Sequence, residues 1–150
     1  MAGYGFVEVE GTRLRFLAAG TLVAERGAPL ERRLATIATG LRALCETWRP
    51  DTAAVEDVFV KADPRAALAV GHGRGALLAV LGEHRIAVHS YAPASIKRAL
   101  TGNGRAPKER VAKMVGQLLG TADLATDATD ALAAALAHAF AAKAQMLTEQ

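Results

Sequence analysis

The order of periodicities along this 150-residue chain predicts an α/β fold, an αβα sandwich built on a mixed sheet. Three observations carry that expectation. The opening stretch alternates apolar and polar residues about a tight turn, which reads as an antiparallel hairpin. The remainder switches between helical stripes and short apolar runs punctuated by Pro and Gly. No internal repeat or linker-like stretch divides the chain, so residues 1–150 are expected to form a single domain.

The elements follow in order. Phe6–Val9 and Arg13–Val23 read as strands joined at Gly11-Thr12, with Leu14, Phe16 and Ala18 in alternation. From Pro29 the period changes: Leu30, Leu34, Ile37, Leu41 and Leu44 form one stripe of an amphipathic helix that Pro50 closes after Trp48. Thr52–Phe59 is a short apolar run, expected to be a buried parallel strand. Asp63-Pro64 reads as an N-cap and first-turn Pro opening a helix that runs to Leu81. Ile86–Tyr91 is a further strand, Pro93–Leu100 a short helix and Thr101–Gly104 a loop. Helices then begin at Pro107 and near Asp127, the last carrying Leu132 and Leu136.

Composition narrows the class. Hydrophobic residues make up 51% and charged residues 22% of the chain, which excludes intrinsic disorder. The single cysteine, Cys45, excludes a disulfide framework and a multi-cysteine zinc site; on its amphipathic helix it reads as a buried, inert thiol. No apolar run has the length of a membrane span, and Met1 is not followed by a secretory signal. Together these point to the cytoplasm. The four histidines lack metal-ligand spacing, and His138 reads as a packing residue.

The charge is unevenly placed. Lys97–Lys113 holds six basic residues and one acid, Glu109, a local +5. The whole chain carries +3, so the rest carries −2. A concentrated basic segment interrupted by Gly and Asn reads as a phosphate footprint, the alternative being a solvated helix face. It has no interleaved aromatics to stack on single-stranded bases.

Three carboxylates stand in apolar surroundings. Glu56 sits between Ala53-Ala54-Val55 and Val58-Phe59, where an ionised group needs a partner or a metal. Asp127 and Asp130, three apart, share one face of the last helix. Taken singly, Asp127 reads as an N-cap and Asp130 as a first-turn acid favoured by the helix dipole. Taken together, the three suggest a hard-cation site of the kind that hydrolyses phosphodiesters. No G-x-x-x-x-G-K-[ST] loop is present to support a nucleotide-binding alternative.

At these residues the chain resembles the bacterial Holliday junction resolvases of the RuvC family. The matching stretches are Gly3-Tyr4-Gly5, Val55–Phe59, Pro64–Leu68 with Gly71-His72-Gly73-Arg74-Gly75, Tyr91, Ile96-Lys97, Gly102–Arg105 with Lys108, and Asp127–Leu132. They occur in family order across almost the whole chain. His72-Gly73 replaces the usual Gln-Ala, and Asp57 stands where Gln or Glu is usual. The resemblance implies an RNase H-like fold and a homodimer that nicks four-way DNA junctions in recombination and repair. It implies Mg²⁺, two ions per site with Mn²⁺ able to substitute, and coupling to the RuvA–RuvB branch-migration helicase. Glu56, Asp127 and Asp130 would be the metal-binding catalytic carboxylates. Phe59 would probe bases at the crossover, its alternative being core packing. Lys97 and Lys108 would contact phosphate near the scissile bond, with Arg65, Arg74 and Arg105 as further DNA contacts. The dimer face is expected on the Leu30–Leu44 stripe or the Arg65–Leu81 helix.

The family opens with an apolar strand ending in Gly-Ile-Asp-Pro-Gly, whose Asp is a fourth carboxylate and whose strand is central in the sheet. This chain begins at Met1, past that point. The expectation is that the natural start lies upstream; the alternative is a nuclease-deficient, junction-binding relative.

Overall fold

The computed structural model describes residues 1–57 and 63–149. Nine elements occur among them: β1 (Ala2–Glu10), β2 (Arg13–Leu22), α1 (Leu30–Trp48), β3 (Thr52–Glu56), α2 (Pro64–Glu83), β4 (Ala87–Tyr91), α3 (Pro93–Thr101), α4 (Lys108–Leu119) and α5 (Thr126–Thr148). The strands form two pairs, β1 with β2 antiparallel and β3 with β4 parallel. The mixed sheet is therefore present as two pairs that share no ladder among the described residues. Helix α2 is the crossover between β3 and β4, as a parallel pair requires. Asp63 caps it, accepting the Arg65 backbone N–H at 3.0 Å, with Pro64 in the first turn.

Period-two alternation on the strands divides the core into two layers. On one side Leu132 and Leu136 of α5, Val115 of α4 and Ile96 of α3 pack with Val7, Ala54 and Tyr91. On the other, Cys45 of α1 and Leu81 of α2 pack with Ala53, Val55 and Val88. Cys45 is buried as expected, and burial pushes its thiol pKa up, which keeps it unreactive. No described helix is long and apolar enough to cross a membrane.

Two boundaries differ from expectation. The first strand starts at Ala2, not Phe6, because Gly3 and Gly5 continue the pairing opposite Thr21 and Ala19. These glycines have a packing cause. A Cβ at Gly3 would collide with the backbone carbonyl of Asp127, and one at Gly5 would lie 2.5 Å from Leu132 Cδ2. Only a bare backbone lets α5 come so close. The third strand ends at Glu56, not Phe59, and its central residues are half-buried rather than buried. One of its edges faces β1 across a cleft instead of another strand. Phe59 lies outside the described residues.

Gly5→Ala should therefore overpack the seat of α5 and destabilise the protein by about 1–3 kcal/mol. At this chain length the melting temperature should fall by about 2–12 °C. Differential scanning calorimetry of the single variant checks it; an unchanged melting temperature would show that Leu132 gives way freely.

Candidate active site

The same alternation aims the chemistry. Thr52, Ala54 and Glu56 project from β3 toward α5, while Ala53, Val55 and Asp57 project toward α2. Glu56 thus ends its strand facing Asp127 and Asp130, which occupy the start of α5. All three carboxylates line one cleft of about 420 Å³, walled by β1 on one side and β3 on the other with α5 along it. The N-cap position of α5 is Ala125 and no side chain caps it, so Asp127 lies within the first turn and is not the cap. Its charge is left to complement the helix N-terminus and the cleft.

Electrostatics tie the group together. Glu56 is held above the ordinary carboxylate range, first by partial desolvation and then by the like charge of Asp130. Lys108 and Lys97 act in the opposite direction on it. Lys108 Nζ also stands 3.9 Å from Asp130 Oδ2. Two lysines thus act against the mutual repulsion of Glu56 and Asp130.

The basic segment is the end of α3 and the start of α4 joined by an ordered loop, with every cation but Lys97 exposed. Thr101 Oγ1 donates to the Lys97 carbonyl at 2.7 Å, and Gly102 (φ 79°) ends α3 in the left-handed region. Asn103 Oδ1 then accepts the Arg105 N–H at 2.9 Å, and Ala106 anchors the loop in the core. Lys97 and Lys108 are thereby fixed on either side of a short, preformed loop.

The donor set fits a hard divalent cation. It consists of oxygens only, and a cation would relieve the Glu56–Asp130 repulsion. Among the described residues no three His, Cys, Asp or Glu side chains gather closely enough to close around one ion. An ion such as Mg²⁺ needs no such cage, since one or two carboxylates with water and substrate phosphate suffice.

The family model for crossover junction endodeoxyribonuclease RuvC matches residues 1–138. The chain belongs to the RuvC family. RuvC of Bordetella avium is 45% identical over 138 residues, covering 91% of this chain and 76% of that protein. RuvC of Chloroflexus aurantiacus is 42% identical over 142 residues, covering 93% and 87%. The Thermus thermophilus RuvC structure in complex with Holliday junction substrate superposes with a TM-score of 0.89 at 34% identity, over 95% of this chain and 88% of that one. The RNase H-like αβα expectation is met.

Within this RuvC frame the residues singled out by sequence do not all fall together. Glu56, Asp127 and Asp130 share the cleft, and Lys97 and Lys108 lie within electrostatic reach of Glu56. Arg105 is exposed on the ordered loop, and Arg65 is exposed in the first turn of α2. Arg74 instead turns inward, onto the ends of β3 and β4. His138 proves to be more than a packing residue. Its Nδ1 lies 2.6 Å from Tyr91 Oη and its Nε2 3.0 Å from Thr52 Oγ1, while its ring stacks on His89 at 4.5 Å. The contacts suit a neutral ring that accepts from Tyr91 and donates to Thr52. A sequence signal existed: a Tyr closing an apolar strand needs a partner for its hydroxyl.

Burial, and secondarily His89, push the His138 pKa below 6.5. The neutral ring is thus favoured by the fold, so its stability contribution is full above the ordinary histidine pKa and is lost as pH falls through the depressed folded value. Wild-type melting temperature should fall as the pH drops below about 6.5. His138→Gln should flatten that dependence while losing about 0.5–1.5 kcal/mol at neutral pH. Thermal melts of both proteins from neutral to mildly acidic pH test this; parallel curves would place the titration elsewhere.

Proposed function

We propose that this chain is a structure-specific endodeoxyribonuclease that resolves Holliday junctions by paired, divalent-metal-dependent nicks in recombination and repair. One observation carries the reading: Glu56, Asp127 and Asp130, from a strand end and a helix start, line a single cleft, with Lys97 and Lys108 within electrostatic reach of Glu56. A relative from Thermus thermophilus is known in complex with junction substrate, and four-way DNA is the substrate proposed here.

Residues 1–150 act as one resolvase domain, in the cytoplasm, where a buried free thiol is unthreatened. Mg²⁺, two ions per site and replaceable by Mn²⁺, is the proposed cofactor, held by Glu56, Asp127 and Asp130. When bound it would supply water activation and neutralise the leaving oxygen. The chain's own groups do the rest. Lys97 and Lys108 hold the scissile phosphate against the carboxylates, and Arg65 and Arg105 bind flanking backbone. Phe59 follows β3 directly in sequence and is proposed to reach the crossover bases. A homodimer places two such sites on one junction. Leu68 and Val70 on α2, 62% and 52% exposed, make that helix a better dimer face than the α1 stripe, whose Ile37 is buried and Leu34, Leu41 and Leu44 half-buried. Coupling to RuvA–RuvB completes the proposed pathway context.

The cleft between β1 and β3 is proposed to receive one further strand carrying a fourth carboxylate. Both flanking strands offer it an edge unpaired among the described residues.

Glu56→Gln and Asp130→Asn should each lower nicking of a synthetic four-way junction by about 10³-fold or more, the scale of losing a charge-stabilising group in a preorganised site. Junction affinity should change little, and chelation of divalent ions should abolish nicking of the wild type. Undiminished cleavage by Glu56→Gln would sink the reading. Lys97→Ala and Lys108→Ala should each reduce the log–log salt slope of junction binding by about 1.

Extending the chain at its front by an apolar strand ending in Gly-Ile-Asp-Pro-Gly should raise both the melting temperature and the nicking rate. Changing that Asp to Asn should remove the rate gain and keep the stability gain. If neither extension alters either quantity, the cleft is not a strand site. Binding without cleavage in every form would identify a junction-binding protein instead of a nuclease.

A further inference from the structure

Arg74 lies midway along α2, and its side chain is only 21% exposed. Its guanidinium spans three partners. Nη1 donates to the Glu56 main-chain carbonyl at 2.5 Å, and Nη2 donates to Ser90 Oγ at 2.9 Å. Nη2 also stands 3.5 Å from Asp57 Oδ1. The partners sit where the parallel pair ends. Glu56 is the last residue of β3, and just beyond it the Asp57 N–H donates to Tyr91 O at 2.8 Å.

The geometry solves a mechanical problem. The Glu56 carboxylate points into an open cleft among charges that both attract and repel it. Among the described residues no hydrogen bond fixes that carboxylate directly. Among those residues its direction is set by its own backbone, at the point where strand pairing stops. A planar, permanently charged fork that grips the backbone carbonyl, a β4 hydroxyl and the next carboxylate supplies that rigidity. A lysine would supply one point donor and lose the fork.

We propose that Arg74 is a positioning residue for Glu56: by tying the Glu56 carbonyl to Ser90 and Asp57 it sets the direction of the carboxylate, and it makes no DNA contact of its own. The inference rests on Glu56 being a metal-binding carboxylate of a nuclease, the reading proposed above.

The test compares wild type, Arg74→Ala, Arg74→Lys and Ser90→Ala in the full chain. Mn²⁺ affinity is measured by calorimetry without DNA, and junction affinity, its salt slope and nicking are measured separately. Arg74→Ala should weaken Mn²⁺ binding and lower kcat for nicking by about 10–100-fold, the usual effect of losing a group that orients a metal ligand. Junction affinity should stay within about twofold with the salt slope unchanged, because no phosphate contact is removed. Arg74→Lys should restore part of the loss, and Ser90→Ala, which keeps the arginine folded in place, should show a smaller loss in the same direction. Unaltered Mn²⁺ affinity in Arg74→Ala and Ser90→Ala would overturn the proposal. So would a salt slope reduced by about 1 in Arg74→Ala, the mark of a phosphate contact. Should Arg74→Ala not fold, Arg74→Lys and Ser90→Ala decide by the same readings. A wild type that binds Mn²⁺ but never nicks defeats the nuclease reading and leaves the positioning role to the Mn²⁺ data alone.

Discussion

The close seat of α5 on β1 is the contact on which the site depends. Helix α5 carries Asp127 and Asp130, yet it is not joined to the strand that carries Glu56 by any short covalent path. Its position is set by packing. Gly3 and Gly5 present bare backbone to it, Gly3 at the Asp127 carbonyl and Gly5 at the Leu132 side chain. Bare backbone on the strand permits an approach that a side chain would forbid. Leu132 and Leu136 then fill the layer completely. The two glycines of β1 are thus a condition for placing the carboxylates of α5 against the third.

The price of that placement is electrostatic. Desolvation and Asp130 both raise the Glu56 pKa, so the folded chain holds a charge it would sooner neutralise. For an acid whose folded pKa lies above its unfolded one, folding grows less favourable as pH rises through that interval. Lys97 and Lys108 offset part of this strain, from a loop made rigid by Thr101, Gly102 and Asn103. A bound cation would relieve the repulsion between Glu56 and Asp130. Lys97 and Lys108 thus make the acids tolerable in the free protein.

Much of this was legible in the sequence, for definite reasons. Glu56 stood out because an acid in an apolar run demands an explanation, and Asp127 with Asp130 because a spacing of three puts both on one helix face. Asp63-Pro64 announced α2 by cap chemistry alone. What the sequence hid were relations across space. Nothing in the sequence near Gly3 and Gly5 shows that α5 presses on them. Arg74 sits in a Gly-rich helical stretch and is expected from the resemblance to contact DNA, and nothing in the sequence shows that its fork binds β3 and β4. His138 hides in an Ala-rich helix, and its partners Tyr91 and Thr52 lie 47 and 86 residues away. Long-range polar pairing leaves no periodic trace.

The parallel pair β3–β4 shows how one local rule organises both the chemistry and its support. Alternation sends Thr52, Glu56, His89 and Tyr91 toward α5, and Asp57 and Ser90 toward α2. On the α5 face these side chains meet His138 and the carboxylate cluster. On the α2 face they meet Arg74. The face that bears Glu56 is thus backed by contacts made on the other side of the pair, where Arg74 holds the Glu56 carbonyl and Ser90. A one-residue slip of β3 would turn Glu56 to Arg74's side and set the shorter Asp57 toward the cleft in its place. The clamp on the Glu56 carbonyl and the Asp57–Tyr91 hydrogen bond both oppose that slip, at the one end of the strand where it would matter.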